Sequence, residues 1–238
     1  MIWGVGVAGF IIGFNKAGAA STLGPINTVL LAMLLPADQA VGLLLPMLIV
    51  ADAFSVAAHW GKWNGAVMRP LLASAVVGIA VGSVTISVVD EEVLRRLIAI
   101  SSLVFVALVV WTRFRKRTMV VRRAAAWTAG AASGLTSTIA HAGGPPVIAY
   151  LTALGMEPAT FVGTTVVFFA IVNLLKVPAY VAAGIIPVDL ILDTLWAWLA
   201  IPVGVGVGRL VIRHINPRLF DRAVLALLVI GAVVLLVQ

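Results

Sequence analysis

The sequence predicts an all-α protein that is embedded in a membrane, and three observations lead to this prediction. The 238 residues are 62% hydrophobic and only 11% charged, whereas a soluble domain carries about 25% charged residues. Apolar runs of about 17–25 residues, the length that crosses a bilayer as a helix, recur along the chain. Two further apolar stretches are interrupted by small and polar residues. We therefore predict a polytopic helical membrane protein whose two interruptions divide it into two homologous repeats.

The first repeat is predicted to cover residues 1–118 and to begin with an interrupted segment. This broken helix, at 2–35, contains the half-helices 2–12 and 24–35, each near the ten or so residues that half a bilayer requires. Three transmembrane helices follow it, at 40–58, 70–88 and 95–112.

The second repeat is predicted to cover residues 119–238 and to have the same plan. Its broken helix, at 125–155, contains the half-helices 125–134 and 146–155, with a polar stretch between them. Three transmembrane helices again follow, at 160–182, 188–208 and 220–237.

Matching residues at constant separations indicate that the two halves are a duplication. Pairs separated by 121 residues are Gly13 and Gly134, Asp52 and Asn173, and His59 and Tyr180. Pairs separated by 126 residues are Gly78 and Gly204, Gly82 and Gly208, and Arg96 and Arg222. The matches are few, but they follow the same order in both halves, as a repeated unit of one broken segment and three spans requires.

The distribution of basic residues distinguishes two topologies. If each broken segment crosses the membrane, the repeats are parallel, and the loop and span-end lysines and arginines divide eight against six. If each broken segment is a re-entrant hairpin, the repeats are inverted, and the same residues divide twelve against two. Because cytoplasmic loops carry the excess of basic residues, we predict inverted repeats. Both arrangements place the C-terminus opposite the basic run 113–123, on the periplasmic side of a cell inner membrane.

Composition and missing motifs argue against several other classes of protein. The chain has no cysteine, which excludes disulfides and thiolate metal sites. It has no phosphate-binding loop, no metalloprotease motif and no paired carboxylates, so we expect no cofactor, no metal and no enzymatic activity. The net charge of +7 is attributed to cytoplasmic loops, and we expect no nucleic-acid partner. The sequence leaves open whether the protein forms a homodimer.

The first interruption contains a lysine and two hydroxyls in otherwise apolar sequence. Lys16, Ser21 and Thr22 precede Gly24 and Pro25, and proline suits the first turn of a helix. A charge at this depth costs roughly 2.5–3.5 kcal/mol, so such residues usually face an interior cavity. Lys16 either attracts an anionic substrate, or reaches to the membrane surface or pairs with a structural carboxylate.

The second interruption contains the highest density of groups that bind oxyanions. Its candidate substrate-binding residues are Thr136, Ser137, Thr138, His141, Gly143 and Gly144, followed by Pro145 and Pro146. Hydroxyls, glycine N–H groups and a helix N-terminus are all donors to anions. The alternative is that the small residues serve helix packing. His141 either donates to an anion or carries a proton, or it is bound to the backbone.

Three polar residues within the predicted spans complete the set of candidates. Asp52 is either a proton-coupling or cation-pairing carboxylate, with Lys16 as a partner, or part of a structural ion pair. Asn173 and Lys176 are three residues apart and therefore share a helix face. If Lys176 lies deep in the membrane it is a second anion ligand, and if it lies near the surface it is an anchor.

These residues resemble the TauE/SafE family, also called the sulfite exporter or toluene sulfonate uptake permease family. The resemblance rests on Gly13, Lys16 and Gly18, on Leu45-Pro46 before Asp52, on the stretch 136–146, on Phe161-Val162-Gly163-Thr164, and on Asn173-Leu174-Leu175-Lys176. It covers nearly the whole chain. It implies a bacterial inner-membrane carrier for small sulfur-containing anions such as sulfite, sulfonates or sulfoacetate.

The hypothesis that follows is a secondary transporter of a small sulfur-containing anion that works by alternating access in the direction of export. The residues alone predict an anion carrier, and the sulfur chemistry comes from the resemblance. An anion channel with the same electropositive centre is the alternative, and an intramembrane enzyme or assembly subunit is a third. The sequence shows no paired acid and base or nucleophile for an enzyme, and a scaffold would not require two polar interruptions.

Overall fold

The computed structural model describes residues 2–16, 24–114, 123–211, 214 and 216–237, and this part of the chain is helical throughout, with short turns. The helices are α1 (Ile2–Lys16), α2 (Gly24–Ala32), α3 (Ala37–Ala58), α4 (Gly65–Val88), α5 (Glu91–Phe114), α6 (Arg123–Ala140), α7 (Gly144–Ala153), α8 (Pro158–Ala182), α9 (Val188–Thr194), a 3₁₀ helix (Leu195–Leu199), α10 (Ala200–Val211) and α11 (Pro217–Val237).

Six helical segments of the described part are long and apolar enough to cross a membrane. They are Ala37–Ala58, Gly65–Val88, Glu91–Trp111, Pro158–Ala182, Val188–Val211 and Leu219–Val237. These segments overlap the six predicted spans, and the all-helical prediction is confirmed. The fifth segment combines α9, the 3₁₀ helix and α10 into one crossing.

Side chains at the loop ends fix where several spans begin. The Asn64 side chain accepts hydrogen bonds from the N–H groups of Ala66 and Val67, both at 3.1 Å, and so caps α4. Glu157 caps α8 in the same way by accepting from the N–H of Thr160. The N–H groups of Ala159 and Thr160 lower the pKa of Glu157, so the cap is an ionised carboxylate that complements the positive end of α8.

Glycines allow two pairs of helices to pack backbone against backbone. A methyl group added to Gly78 of α4 would lie 2.0 Å from the carbonyl oxygen of Ala131 in α6. A methyl group added to Gly204 of α10 would lie 2.2 Å from the carbonyl oxygen of Phe10 in α1. Only hydrogen fits at these crossings, which is how small residues bring membrane helices close together.

The order of contacts gives the direction in which these helices run. Gly130 of α6 lies against Leu71 of α4, and later in both helices Thr138 lies against Gly82, so α4 and α6 run in the same direction. For the other pair, Gly9 lies against Ala197 and Gly13 against Ile201 and Val205, so α1 and α10 also run in the same direction.

Two further close approaches relate the ends of α3 and α8. Gly163, near the start of α8, lies against Lys62, which follows the end of α3. Gly42, near the start of α3, lies against Ile185 and Pro187, which follow the end of α8. The two helices therefore run in opposite directions along each other.

Both interrupted segments differ from their predicted bounds. Helix α1 continues past 12 to Lys16, and α6 continues past 134 to Ala140, whereas α2 and α7 end earlier than predicted, at Ala32 and Ala153. The reason in α6 is that Thr136 and Thr138 donate their hydroxyls to the carbonyl oxygens of Ala132 and Gly134, both at 2.8 Å. Polar residues that bond back in this way are compatible with a helix. The second interruption is therefore only residues 141–143.

Candidate functional site

Asp52 of α3 joins three helices at the centre of the described structure. Its side chain is 3% exposed. One carboxylate oxygen forms an ion pair with the ammonium of Lys16, the last residue of α1. The other oxygen accepts a hydrogen bond of 2.7 Å from the side-chain amide of Asn173 in α8. The carboxylate is buried, but an opposite charge and an amide donor compensate it, as a buried charge requires.

Lys176 lies one turn after Asn173 on α8 and is fully buried. Its ammonium group is 3.1 Å from the carbonyl oxygen of Ser137, 3.2 Å from the Ser137 hydroxyl and 3.0 Å from Nδ1 of His141. An ammonium has three N–H donors, and each has an acceptor here. All three acceptors are neutral, and no carboxylate lies within salt-bridge distance of Lys176 among the residues that the structure describes.

His141 forms the turn between α6 and α7. Its φ of 50° is in the left-handed region, which histidine enters more readily than most residues. Because Nδ1 accepts from Lys176, the proton of the neutral ring is on Nε2, and this group donates to the carbonyl oxygen of Val41 at 3.1 Å. Both ring nitrogens are therefore in use, and they tie the turn to α8 and to α3.

The N-termini of both short helices lie beside this turn. A methyl group added to Gly24, the first residue of α2, would be 3.0 Å from the His141 carbonyl oxygen. Gly143, just before α7, lies against Ser137, and its carbonyl oxygen accepts from the Ser133 hydroxyl at 2.7 Å. The N-terminus of a helix carries partial positive charge, so α2 and α7 add to the positive potential at this point.

We call these six residues the central cluster: Lys16, Asp52, Ser137, His141, Asn173 and Lys176. Two ammonium groups and one carboxylate give the cluster a net charge of +1 when all three are ionised and His141 is neutral. A small anion would neutralise this charge. Among the described residues there is no group of three or more His, Asp or Glu suited to a metal ion.

The remaining predicted residues have different positions. The hydroxyls of Thr136 and Thr138 donate to their own helix, so in this conformation they do not point donors toward the cluster. Gly144 is the buried first residue of α7, and Pro145 and Pro146 follow it, as predicted for a helix start. Ser21 and Thr22 lie outside the residues that the structure describes.

Two residues of this region were not predicted from the sequence. The hydroxyl of Tyr180 donates to the carbonyl oxygen of Thr138 at 2.6 Å, and the Lys176 ammonium lies 5.8 Å from the centre of its ring. Asn27, in the first turn of α2, is 2% exposed, and its side-chain oxygen has no hydrogen-bond partner within the described part of the chain. A polar residue two positions after Pro25 was the available signal for Asn27.

Comparison with known proteins agrees with the resemblance given by the residues. The chain matches the family model described as sulfite exporter TauE/SafE over residues 4–235, nearly its whole length. A search of curated proteins and a search of solved structures gave no match.

Proposed function

Because the chain belongs to the sulfite exporter TauE/SafE family, a family of membrane transporters, we propose that it moves a small sulfur-containing anion across the bacterial inner membrane. The substrate would be of the sulfite, sulfonate or sulfoacetate type, and the direction would be export. The transporter would be secondary, since the sequence has no nucleotide-binding motif. The family match is the source of the sulfur chemistry.

The observation that carries the proposal is the positive central cluster. Lys16 pairs with the single carboxylate and Lys176 has only neutral partners, while the N-termini of α2 and α7 lie beside His141 and Ser137. Fixed positive charges and helix N-termini in a region of low dielectric favour a bound anion. Lys16 and Lys176 would bind the anion, with Ser137, His141 and Asn173 around it. Asp52 and His141 are the groups that would couple transport to protons.

Helix directions support a re-entrant second interruption. The starts of α4 and α8 are adjacent, because the N–H of Asn64 donates to the Thr164 hydroxyl at 3.0 Å. Helix α6 runs in the same direction as α4, so its start is on this face too. Helix α7 leads back to the start of α8 through a short turn. The segment from α6 to α7 would then enter and leave the membrane on one face.

The same reasoning supports a re-entrant first interruption on the opposite face. The start of α9 lies beside Gly42 in the first turns of α3, and α1 runs in the same direction as α10. The starts of α1, α3 and α9 would then share one face. With six crossings, the basic loop between α5 and α6 would be cytoplasmic and the C-terminus periplasmic.

Helix positions also support two inverted repeats with boundaries near 118. Helices α6, α8 and α11 begin 121, 121 and 126 residues after α1, α3 and α5. The glycine crossings correspond as well, since Gly78 against α6 and Gly204 against α1 are 126 residues apart. Inverted repeats around a central site are a common plan for secondary transporters, in which one repeat rocks against the other.

A carrier fits better than an anion channel. The family is described as an exporter family, and the Lys176 side chain is fully buried, with all three donors bound to protein. A conducting pore requires ligands that ions reach from both sides at once. Saturable counter-transport in vesicles is expected for the carrier, and ohmic current across a bilayer for the channel.

Ligand-dependent stabilisation tests the proposed function directly. The purified protein is heated with sulfite, thiosulfate, sulfate, sulfoacetate, taurine, phosphate or acetate, and the unfolding temperature is measured. A ligand of the native state raises this temperature with its concentration. We expect stabilisation by a sulfur oxyanion in the wild type and its loss in Lys16→Ala. We also expect Lys16→Ala and His141→Ala to fold and to transport less. Wild-type flux in both variants would contradict the site.

A further inference from the structure

The two lysines of the central cluster are not equivalent to each other, because each corresponds to a serine in the other half of the chain. At the separation of 121 residues, Lys16 of α1 corresponds to Ser137 of α6, and Lys176 of α8 corresponds to Ser55 of α3. Each half therefore has one lysine and one serine, but on different helices. Both serines are 97% buried. One ammonium contacts Asp52, and the other contacts Ser137, the equivalent of Lys16.

The contact between Asp52 and Asn173 marks the centre of this arrangement. These residues are themselves equivalent, 121 residues apart, and they share a hydrogen bond of 2.7 Å. Two equivalent positions can touch each other only where they face each other across the pseudo-twofold axis. That axis therefore relates the side of the cluster with Lys16 to the side with Lys176 and Ser137.

The two sides of the central cluster differ in the exposure of their lysine and in whether that lysine has a charged partner. On one side, Lys16 keeps 18% of its side chain exposed and has a carboxylate partner. On the other side, Lys176 is completely buried and has only neutral partners, which are Ser137 and His141. Burying an ammonium without a counter-ion is costly, so the Lys176 side has an unmatched positive charge that an anion would match.

We propose that Lys176, Ser137 and His141 form a second anion half-site, which is closed in this conformation and opens toward the opposite side of the membrane from the Lys16 half-site. This inference rests on the proposed function and specifies how its site works. When inverted repeats exchange conformations, equivalent positions exchange environments. The partly exposed environment of Lys16 would then pass to its equivalent Ser137, which contacts the Lys176 ammonium, while Lys16 becomes enclosed. The anion would pass from one ammonium to the other beside Asp52 and Asn173.

Direction-resolved kinetics distinguish two half-sites from one shared site. Sulfite flux is measured in right-side-out and in inside-out vesicles for the wild type, Lys16→Met and Lys176→Met. We expect each variant to raise KM about tenfold or more on one face, the size of a lost hydrogen bond to a charged group, and to change it much less on the other. The affected faces should be opposite for the two variants. Equal changes on both faces in both variants would overturn the inference.

Thiol labelling gives a second test that keeps Lys176. The chain has no cysteine, so Lys16→Cys and Ser137→Cys each introduce a single reactive group, at equivalent positions of the two halves. We expect a membrane-impermeant thiol reagent to reach the two cysteines from opposite faces, and sulfite to slow the reaction of the Ser137→Cys variant. Labelling of both from the same face would overturn the inference, even if Lys176→Met fails to fold.

The result that would contradict the proposed function differs from the result that would contradict the two half-sites. If the wild-type vesicles show no saturable sulfite or sulfoacetate flux from either face, sulfur-anion transport is wrong regardless of the lysine variants. If the wild type transports sulfite and the variants lack opposite effects, only the two half-sites are wrong.

Discussion

The first and second halves of the chain each stabilise a lysine of the central cluster, but by different means. In the first half, Lys16 forms an ion pair with Asp52. In the second half, Lys176 is surrounded by a carbonyl oxygen, a hydroxyl and an imidazole. The backbone crossings made by Gly78 and Gly204 are nevertheless nearly the same. Similar packing at Gly78 and Gly204 therefore accompanies an unequal distribution of charge, and in the proposed carrier this inequality would leave one positive charge for the anion.

Removing Asp52 should disturb this comparison most. Asp52→Ala leaves the Lys16 ammonium without its counter-ion and Asn173 without its acceptor, and breaking a buried pair in this way costs about 3–5 kcal/mol. We expect a large loss in the free energy of unfolding, measured by denaturation in detergent, and loss of anion flux. Asn173→Ala is the matched control, because it removes one hydrogen bond to a charged group, for about 1.5–3 kcal/mol. Equal losses would mean that the ion pair contributes little.

The glycine crossings should respond equally in both halves. Gly78→Ala and Gly204→Ala each place a methyl group about 2 Å from a backbone oxygen, and such overpacking costs about 1–3 kcal/mol. The control is Gly206→Ala, since a methyl group there meets nothing within 4 Å, and its unfolding temperature should stay near that of the wild type. A clear difference between Gly78→Ala and Gly204→Ala would argue against equivalent packing in the two halves.

Tyr180 should contribute more to the free energy of unfolding than His59, the residue at the corresponding position of the first half. Tyr180→Phe removes the donor to the Thr138 carbonyl oxygen, and we expect a loss of about 1 kcal/mol in the free energy of unfolding. The ring of His59, which occupies the corresponding position, forms a hydrogen bond to the carbonyl oxygen of Ser55 one turn earlier in its own helix. His59→Phe should therefore change stability less than Tyr180→Phe, and a reversed order would refute this assignment.

The smallest effect is expected at Thr136. Its hydroxyl donates to the Ala132 carbonyl oxygen within α6, whereas the neighbouring Ser137 contacts the Lys176 ammonium. Thr136→Val should leave sulfite-dependent stabilisation within about 0.5 kcal/mol of the wild type, the usual range away from a site. Ser137→Ala should weaken that stabilisation. A large loss in Thr136→Val would show that its hydroxyl turns toward the anion in another conformation.

Sequence was a good guide where a single local signal decides the structure. Long apolar runs predicted six spans where the structure has six candidates, Gly24-Pro25 predicted the start of α2, and Pro145-Pro146 predicted the start of α7 about two residues late. The ends of the half-helices were less predictable, because the hydroxyls of Thr136 and Thr138 can either face a ligand or bond back to the helix. That choice depends on the packing of α4 against α6, which no local pattern contains.

The partners within the site illustrate the same limit. The sequence predicted that Lys16 and Asp52 are candidates and left a pairing between them open, and the ion pair is observed. The Lys176 partners depend on a left-handed turn at His141 and on a carbonyl oxygen of Ser137. Backbone acceptors carry no sequence signal, so the partners of Lys176 could be identified only from the structure.

The glycine crossings also determine which helices we expect to move as one unit. Helix α1 is pressed against α10, and α6 against α4, with backbone in direct contact, so each interrupted segment is mechanically attached to a span of the other half. Asp52 is on α3, outside both of these tightly joined pairs. The ion pair between Lys16 and Asp52 therefore bridges two bodies that we expect to shift during transport. The ion pair would hold α1 to α3, and an anion that competes for Lys16 would break it.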